Sequence, residues 1–387
     1  MKKATFLLAA LALTAASCSD TETLNSSTQD TPQNISFSAY TSKLSRALQT
    51  DVTTANLNSF KVTAISSDNT KIYFSDLTFT KKGAVWESED QYVWPNYSLN
   101  FYAYKETENT NGSDQTKFIK YINLDDNKNI DITVAKELAN QEDFVVAQAL
   151  NQTMANTSSN ANHAVNLTFK HILTQIVVKA KNSNTEKYTV EVSDVAIRNI
   201  MSEGNYNFAS QTMTAKNGKN DFNASFNPKE LTTEDHEMMT VSGNGKWYLI
   251  PQTVTPWNRS TDQTNTDHGT YLALKVKITS KNTGAPIYPI PANDEAEKFA
   301  WMAMPMPSVV KDALVYNYQQ GKKYTIVFNF FSDGTGAGFV DPQYPGDLDG
   351  DGDTADDKGE AIGVNHIKFN ATVEEWDENN TTITMNL

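Results

Sequence analysis

Cysteine is almost absent from this chain of 387 residues, which contains a single one, at position 18. One thiol forms no intramolecular disulfide, and cysteine-based zinc clusters need several, so both kinds of scaffold are excluded. Histidine is also scarce, and the five copies form no HExxH motif. The sequence contains neither a GxSxG nucleophile motif nor a glycine-rich phosphate loop, and it therefore predicts that the protein is not an enzyme.

Positive charge is in short supply as well. Lysine and arginine together number 32 against 46 acidic residues, which gives a net charge of -14 and a pI near 4.8. Because such a surface repels phosphate, nucleic acid is excluded as a partner. Aromatic residues are plentiful, with 18 Phe, 16 Tyr and 6 Trp, so the chain has enough apolar area to fold. The length suggests about two domains.

The N-terminal residues read as an export signal. Lys2 and Lys3 precede an apolar run from Ala4 to Ala16, which is too short to span a bilayer as a helix. The small residues before Cys18 resemble the lipobox of bacterial lipoproteins, in which the thiol is acylated. We therefore assign residues 1–17 to a lipoprotein signal peptide; the alternative is an ordinary signal peptide that happens to contain a cysteine.

A polar tether follows the signal. Residues 18–34 contain one large apolar residue, Leu24, so they cannot offset the entropy of ordering. The acidic start of this segment, Ser19 to Glu22, resembles signals that send Bacteroidetes lipoproteins to the outer face of the outer membrane. The predicted location is therefore the cell outer membrane, with the lipid on Cys18 as the anchor.

The rest of the chain alternates apolar and polar residues with a period of two, which is typical of strands with one buried face. The runs are Ile35–Ala39, Phe60–Ala64, Leu99–Ala103, Ile172–Val178, Tyr188–Val192, Tyr271–Ile278, Tyr324–Phe330 and Ile367–Val373. Long amphipathic helices are few; one short candidate lies near Leu48 to Ser59, where Thr50 or Asp51 could form the cap. The pattern predicts an all-β protein of two antiparallel β-sandwich domains in tandem.

A polar stretch at residues 151–162 has little to bury and marks the predicted domain boundary. The N-terminal domain then covers residues 35–162 and the C-terminal domain residues 163–387. His171, at the start of a strand, is interpreted as a packed, hydrogen-bonded residue and not as a metal ligand.

Several short strings, taken in order, resemble the fimbrillin family of Bacteroidetes, the subunits of type V pili. They are Ile35-Ser-Phe-Ser-Ala with Ser45-Arg46-Ala47, Trp94-Pro95 with Leu99-Asn-Phe-Tyr-Ala-Tyr104, Phe169-Lys-His171-Ile-Leu173, Trp247-Tyr-Leu-Ile-Pro251, Gly321-Lys-Lys-Tyr324 and Trp376. The resemblance implies two transthyretin-like sandwich domains. It also implies export as a lipoprotein, cleavage by a trypsin-like protease after an arginine that follows the first strand, and polymerisation by strand exchange with other fimbrillin subunits.

The matching parts are present in this sequence. Residues 35–46 form the predicted removable segment, with Ile35, Phe37 and Ala39 facing the core, and cleavage after Arg46 would give a chain that starts at Ala47. Arg46 can equally be an ordinary surface arginine, and Lys43 is the nearest competing basic site.

The C-terminal residues 381–387 also alternate. Ile383, Met385 and Leu387 lie on one face, which makes this segment a candidate donor strand for a neighbouring subunit. The same strand can fold back onto its own sheet, and both alternatives stay open.

An acidic loop at residues 347–360 contains six Asp and one Glu. Carboxylates at alternate positions with intervening glycines are typical of calcium loops, so a structural calcium ion is predicted. The candidate ligands are Asp347, Asp349, Asp351, Asp353 and Glu360. Two registers compete: a start at Asp347 places Lys358 where the bidentate acid belongs, and a start at Asp349 places Thr354 where the glycine belongs. The alternative is a solvated acidic loop without a metal.

We therefore predict a subunit of a cell-surface fimbria that acts through assembly and adhesion, with a surface ligand that the sequence does not identify. The second hypothesis is an outer-membrane lipoprotein that binds glycans through exposed aromatic residues. Trp257, in a polar stretch, is the best candidate for a sugar-stacking platform.

Overall fold

The structure is a computed structural model that describes residues 33–41, 51–105, 118–123, 128–216, 218–239, 245–259, 269–291, 299–309, 314–332, 336–363, 368–375 and 383–386. These residues contain one short α-helix, Met154–Thr157, and two 3-10 turns, Leu138–Asn140 and Ala161–His163. Among the described residues, no helix has the length and apolar character needed to cross a membrane.

The remaining elements are β-strands. In chain order they are β1 (Phe37–Thr41), β2 (Ser59–Ser66), β3 (Ile72–Lys82), β4 (Val85–Ser88), β5 (Leu99–Tyr104), β6 (Phe118–Asn123), β7 (Asn129–Thr133), β8 (Val145–Gln152), β9 (Val165–His171), β10 (Thr174–Asn182), β11 (Tyr188–Met201), β12 (Glu203–Asn207), β13 (Thr212–Ala215), β14 (Lys219–Glu230), β15 (His236–Glu237), β16 (Trp247–Leu249), β17 (Gln252–Thr253), β18 (Tyr271–Ser280), β19 (Pro286–Tyr288), β20 (Ala300–Pro305), β21 (Asn317–Tyr318), β22 (Lys322–Phe330), β23 (Phe339–Val340), β24 (Lys368–Glu375) and β25 (Ile383–Asn386).

The first seven-stranded sheet closes on itself as a barrel in the order β1-β4-β3-β2-β5-β8-β9. The strands of this sheet have one apolar face. In β9, Val165, Leu167 and Phe169 are buried while the residues between them are exposed. This alternation turns one face of each strand inward, and closure removes the free edges that an open sheet would present. The barrel interior forms one apolar cluster that runs from Ile35 to Phe169.

The second half of the chain forms two facing sheets around a larger core. One sheet has the order β15-β10-β22-β24-β25, with β16 also paired to β10, and the other has the order β14-β11-β18-β20-β23, with β19 also paired to β18. Strand β22 alternates buried and half-buried residues along its length, as a strand with one core face does. A two-stranded pair, β17 and β21, lies beside them.

A four-stranded sheet, in the order β13-β12-β7-β6, joins the two halves. Strands β6 and β7 come from the N-terminal part of the chain, and β12 and β13 from the C-terminal part. Ile130 of β7 and Tyr206 of β12 belong to the larger core, together with Tyr102 on β5 of the barrel. The ring of Tyr102 contacts that of Phe208 at 5.3 Å between centroids. We call this sheet the bridging sheet because it packs residues of the barrel strands into the second core.

The predicted all-β class is confirmed, and most strand pairs are antiparallel as predicted. Two pairs are parallel, β1 with β9 and β10 with β22, and the first sheet is a closed barrel instead of an open sandwich. The domain boundary at residues 151–162 stays a prediction; β9, which begins after it, pairs with β1 and β8 in the barrel.

Candidate functional site: the closing strand and the acidic loop

Strand β1 closes the barrel. It runs parallel to β9 over five residue pairs, from Phe37 opposite Val165 to Thr41 opposite Phe169. On its other side it meets β4 in a single antiparallel pair, Phe37 opposite Trp86. Because β1 is the first strand of the barrel and has few ladder bonds to β4, it can leave without unthreading any other strand.

The side chains of β1 fill the centre of the barrel. Ile35, Phe37 and Ala39 are 2%, 0% and 3% exposed, whereas Tyr40 is 49% exposed on the outer face. The ring of Phe37 contacts three other rings edge to face, with centroid distances of 6.0 Å to Phe60, 4.7 Å to Phe79 and 5.1 Å to Phe101. Loss of β1 would therefore open a groove lined with aromatic residues beside the unpaired backbone of β9.

Neutral hydrogen bonds hold both ends of β1. The Ile35 amide donates to the Tyr92 carbonyl at 2.7 Å. The Thr41 amide donates to Thr54 Oγ1, and the Thr54 amide donates to Thr41 Oγ1, both at 2.9 Å. The predicted cleavage site at Arg46 and Ala47 lies outside the described residues, as does the predicted lipid site at Cys18.

At the other end of the chain, β25 pairs antiparallel with β24, with Ile383 opposite Val373 and Met385 opposite Ala371. In the single chain the predicted donor segment thus folds back as the edge strand of its own sheet. Leu387 lies outside the described residues.

The acidic loop brings three of the five predicted metal ligands together. Carboxylate oxygens of Asp347, Asp349 and Asp351 lie within 4.8 Å of one another. Asp347 is buried and accepts hydrogen bonds from the Gly350 amide at 2.6 Å and the Gly352 amide at 2.9 Å. Both glycines have positive φ, of 90° and 91°, which a residue with a Cβ rarely adopts.

The other two predicted ligands have different contacts. Asp353 is exposed and accepts from the Ala355 amide, and Glu360 lies 3.5 Å from Arg259 Nη2. The three grouped residues belong to the register that starts at Asp347, and the metal site itself stays a prediction. Asp357, which the sequence did not suggest, accepts from the Leu348 amide at 2.8 Å. Its pKa is raised by burial and by the neighbouring carboxylates Asp349, Asp356 and Asp347.

A buried polar network begins at Asp51, five residues after Arg46 in the sequence, and sequence reasoning missed it. The Asp51 carboxylate accepts three hydrogen bonds, from Lys246 Nζ at 2.5 Å, from the Tyr248 hydroxyl at 2.6 Å and from Gln175 Nε2 at 2.7 Å. Asp51 caps no helix, because residues 51–58 contain none. Its neighbour Val52 donates its amide to Asp143 at 2.8 Å.

Asp143 also holds His171, whose Nδ1 lies 2.8 Å from Asp143 Oδ2. Both side chains are buried. The prediction that His171 is a packed, hydrogen-bonded residue is confirmed.

The prediction that Trp257 forms a stacking platform for sugars is wrong. Its side chain is 2% exposed and packs between Tyr271, at 5.5 Å between centroids, and Phe339, at 6.0 Å. Burial of the large apolar indole is favourable, although the residues next to Trp257 in the sequence are polar.

These features define the class: an all-β protein in which the first described strand closes a barrel and is deeply buried. Comparison with family models then gives the family. Residues 45–337 match the fimbrillin-like family, so the chain belongs to that family. Membership supports a subunit of a cell-surface fimbria and agrees with the prediction that the protein is not an enzyme.

One solved structure supports the fold, and a second is noted for its family. A fimbrial protein from Bacteroides vulgatus is 16% identical with a TM-score of 0.53, covering 76% of this chain and 94% of its own. The fimbrial anchor protein Mfa2 from Porphyromonas gingivalis is 11% identical with a TM-score of 0.32, covering 77% and 91%. A comparison with curated protein sequences found no match.

Proposed function

We propose that this protein is a structural subunit of a type V pilus, exported as a lipoprotein on Cys18, activated by cleavage after Arg46 and polymerised by strand exchange. The observation that carries the proposal is the position of β1. It closes the barrel, it is the first of the described strands, and Arg46 follows it five residues later in the sequence.

A barrel that has lost β1 is less stable than a barrel in which another strand has taken the place of β1. When β1 leaves, the backbone groups of β9 lose their partners and the rings of Phe60, Phe79 and Phe101 lose the ring that fills the space between them. An unpaired edge beside an apolar groove is a template for a strand from another chain. A cut subunit is thereby driven to bind a donor strand.

The donor in this proposal is the C-terminal segment 381–387. Its alternation of Ile383, Met385 and Leu387 matches the spacing of Ile35, Phe37 and Ala39. Since β25 is an edge strand paired only with β24 among the described strands, its release breaks one ladder.

The proposed partners follow from these steps. They are other fimbrillin subunits, a trypsin-like protease and, before cleavage, the outer membrane through the lipid on Cys18. Adhesion to a host or bacterial surface would be a property of the assembled fimbria, and the ligand is not identified.

We also propose that the acidic loop binds a structural calcium ion. Support comes from the grouping of Asp347, Asp349 and Asp351 and from the raised pKa of Asp357, since both place carboxylates close together. Hard oxygen ligands in a flexible loop suit calcium, which would offset their mutual repulsion.

The experiment on assembly compares wild-type protein with Arg46→Ala, using Lys43→Ala as the matched control. Mass and N-terminal sequencing of protein from cell-surface polymers should give a chain that starts at Ala47 for wild type and for Lys43→Ala. Arg46→Ala should remain uncut and yield no ladder of SDS-resistant multimers. An uncut wild-type chain in the polymers, still lipidated on Cys18, would overturn the proposal.

A further inference from the structure

The buried network around Asp51 joins the start of the barrel to the second core. Its members are far apart in sequence: Asp51 and Val52 follow segment 42–50, while Lys246 and Tyr248 belong to or adjoin β16. Asp51, Lys246 and Tyr248 are 3%, 1% and 0% exposed. A charged pair this far from water is a costly way to gain stability, but it fixes each partner in one position.

Two additional hydrogen bonds hold the residues around Asp51 and β16 in place. The Val52 amide donates to Asp143, and the Tyr248 amide donates to Gln141 Oε1 at 2.8 Å. Residues 141–143 therefore bind both the segment after the loop and the strand that contains Tyr248. Burial lowers the pKa of Lys246, and the charge of Asp51 and its hydrogen bond with Lys246 oppose that effect.

The residues on either side of segment 42–50 are thus held in different ways. On the β1 side, the hydrogen bonds that Thr41 makes with other described residues are neutral and involve Thr54 and the backbone of the neighbouring strand. On the other side, Asp51 makes an ion pair and two hydrogen bonds in the protein interior. Hydrogen bonds to charged groups are about twice as strong as neutral ones, so each contact of Asp51 is individually stronger than the hydrogen bonds between Thr41 and Thr54.

We infer that the Asp51 network is an anchor for the new N-terminal segment, so that a cut within residues 42–50 frees β1 while residues from Asp51 onward stay bound to the second core. The inference rests on the proposed activation by cleavage. The inference adds that, after cleavage and before a donor strand binds, the subunit keeps a rigid junction between the barrel and the second core.

The test uses the full chain with the recognition sequence of a site-specific protease inserted within residues 42–50. It therefore does not depend on Arg46 being the natural cleavage site. Residue-resolved hydrogen exchange is measured before the cut and after removal of the β1 fragment. In wild type the Val52 and Tyr248 amides should keep their protection to within about twofold, and the Thr54 amide, whose partner Thr41 has gone, should lose about tenfold or more.

Variants of the network make the result specific. Asp51→Asn should lower the protection of Val52 and Tyr248 about tenfold or more in the cut chain. Tyr248→Phe removes a single hydrogen bond to Asp51 and should give a smaller loss in the same direction, which keeps the test valid where Asp51→Asn fails to fold. Asp235→Asn, which removes the exposed ion pair with Lys181, is the control and should change neither amide.

Loss of Val52 protection in the cut wild type, or unchanged protection in cut Asp51→Asn and Tyr248→Phe, would overturn the inference. Neither result would bear on cleavage after Arg46, which N-terminal sequencing tests separately.

Discussion

Phe37 lies at the centre of the barrel, fully buried among three other phenylalanine rings. Truncation to alanine removes the ring and leaves a cavity that closed-barrel strands cannot collapse to fill. We expect Phe37→Ala to lower the free energy of unfolding by about 3–5 kcal/mol, measured by urea denaturation. Tyr40→Ala, on the outer face of the same strand, is the matched control and should change it by no more than about 0.5 kcal/mol. Equal effects would contradict the aromatic core described above.

The buried carboxyl group of Asp341 should make the free energy of unfolding depend on pH. Burial raises its pKa above 3.8, although hydrogen bonds from the Gln343 and Tyr344 amides, the charge of Arg198 and a hydrogen bond from Tyr271 oppose the shift. A folded-state pKa above the unfolded value means that the folded state binds the proton more tightly. Its stabilising contribution is therefore complete below pH 3.8 and is lost as the pH rises through the folded pKa.

Asp341→Asn cannot ionise, and it keeps an oxygen that can accept from Tyr271. The stability of this variant relative to wild type should therefore increase between pH 4 and pH 7, by about 1.4 kcal/mol for each unit by which the pKa is raised. Urea denaturation across that range measures the difference. Asp90→Asn, at an exposed site, is the control for the pH dependence of the stability difference. A stability difference that stays constant with pH would show that Asp341 ionises as freely in the folded state as in the unfolded one.

Among the elements, the acidic loop gives the most direct prediction. Calcium at about a hundred times its Kd should stabilise the protein by about 2.7 kcal/mol, which corresponds to roughly 3 °C in melting temperature for a chain of 387 residues. The double variant Asp349→Asn with Asp351→Asn should lose this shift, whereas Asp235→Asn should keep it. Identical wild-type melting curves with calcium and with a chelator would rule the ion out.

The strands were largely predictable because alternation is a local signal. The runs at Tyr271–Ile278 and Tyr324–Phe330 lie within β18 and β22. Strand partners were not predictable, since periodicity does not say which strand lies alongside; the parallel pair of β1 with β9 is an example. Asp51 shows the same limit for a side chain: its sequence neighbours suggested a helix cap, and its partners lie more than a hundred residues away.

At the scale of the whole molecule, the two cores share structure. The bridging sheet packs Tyr102 of the barrel into the same cluster as Tyr206 and the second sandwich, and the Asp51 network crosses between them. Separate domains joined by a linker would unfold independently, whereas a shared apolar interface couples them. This coupling matters for a subunit in a polymer, because force applied at one end passes through every junction along the chain.

The coupling predicts a single cooperative transition for the uncut protein. Hydrogen exchange at rising urea, below the unfolding midpoint, should give the same opening free energy for core amides of β2 in the barrel and of β18 in the second core. The double variant Tyr102→Ala with Asp51→Asn removes one contact of each kind and should separate the two values, with the barrel opening first because its core is smaller. Tyr40→Ala with Asp235→Asn, at two exposed sites, is the matched control and should leave them equal. Different opening free energies in wild type would show that the barrel and the second core fold as independent units.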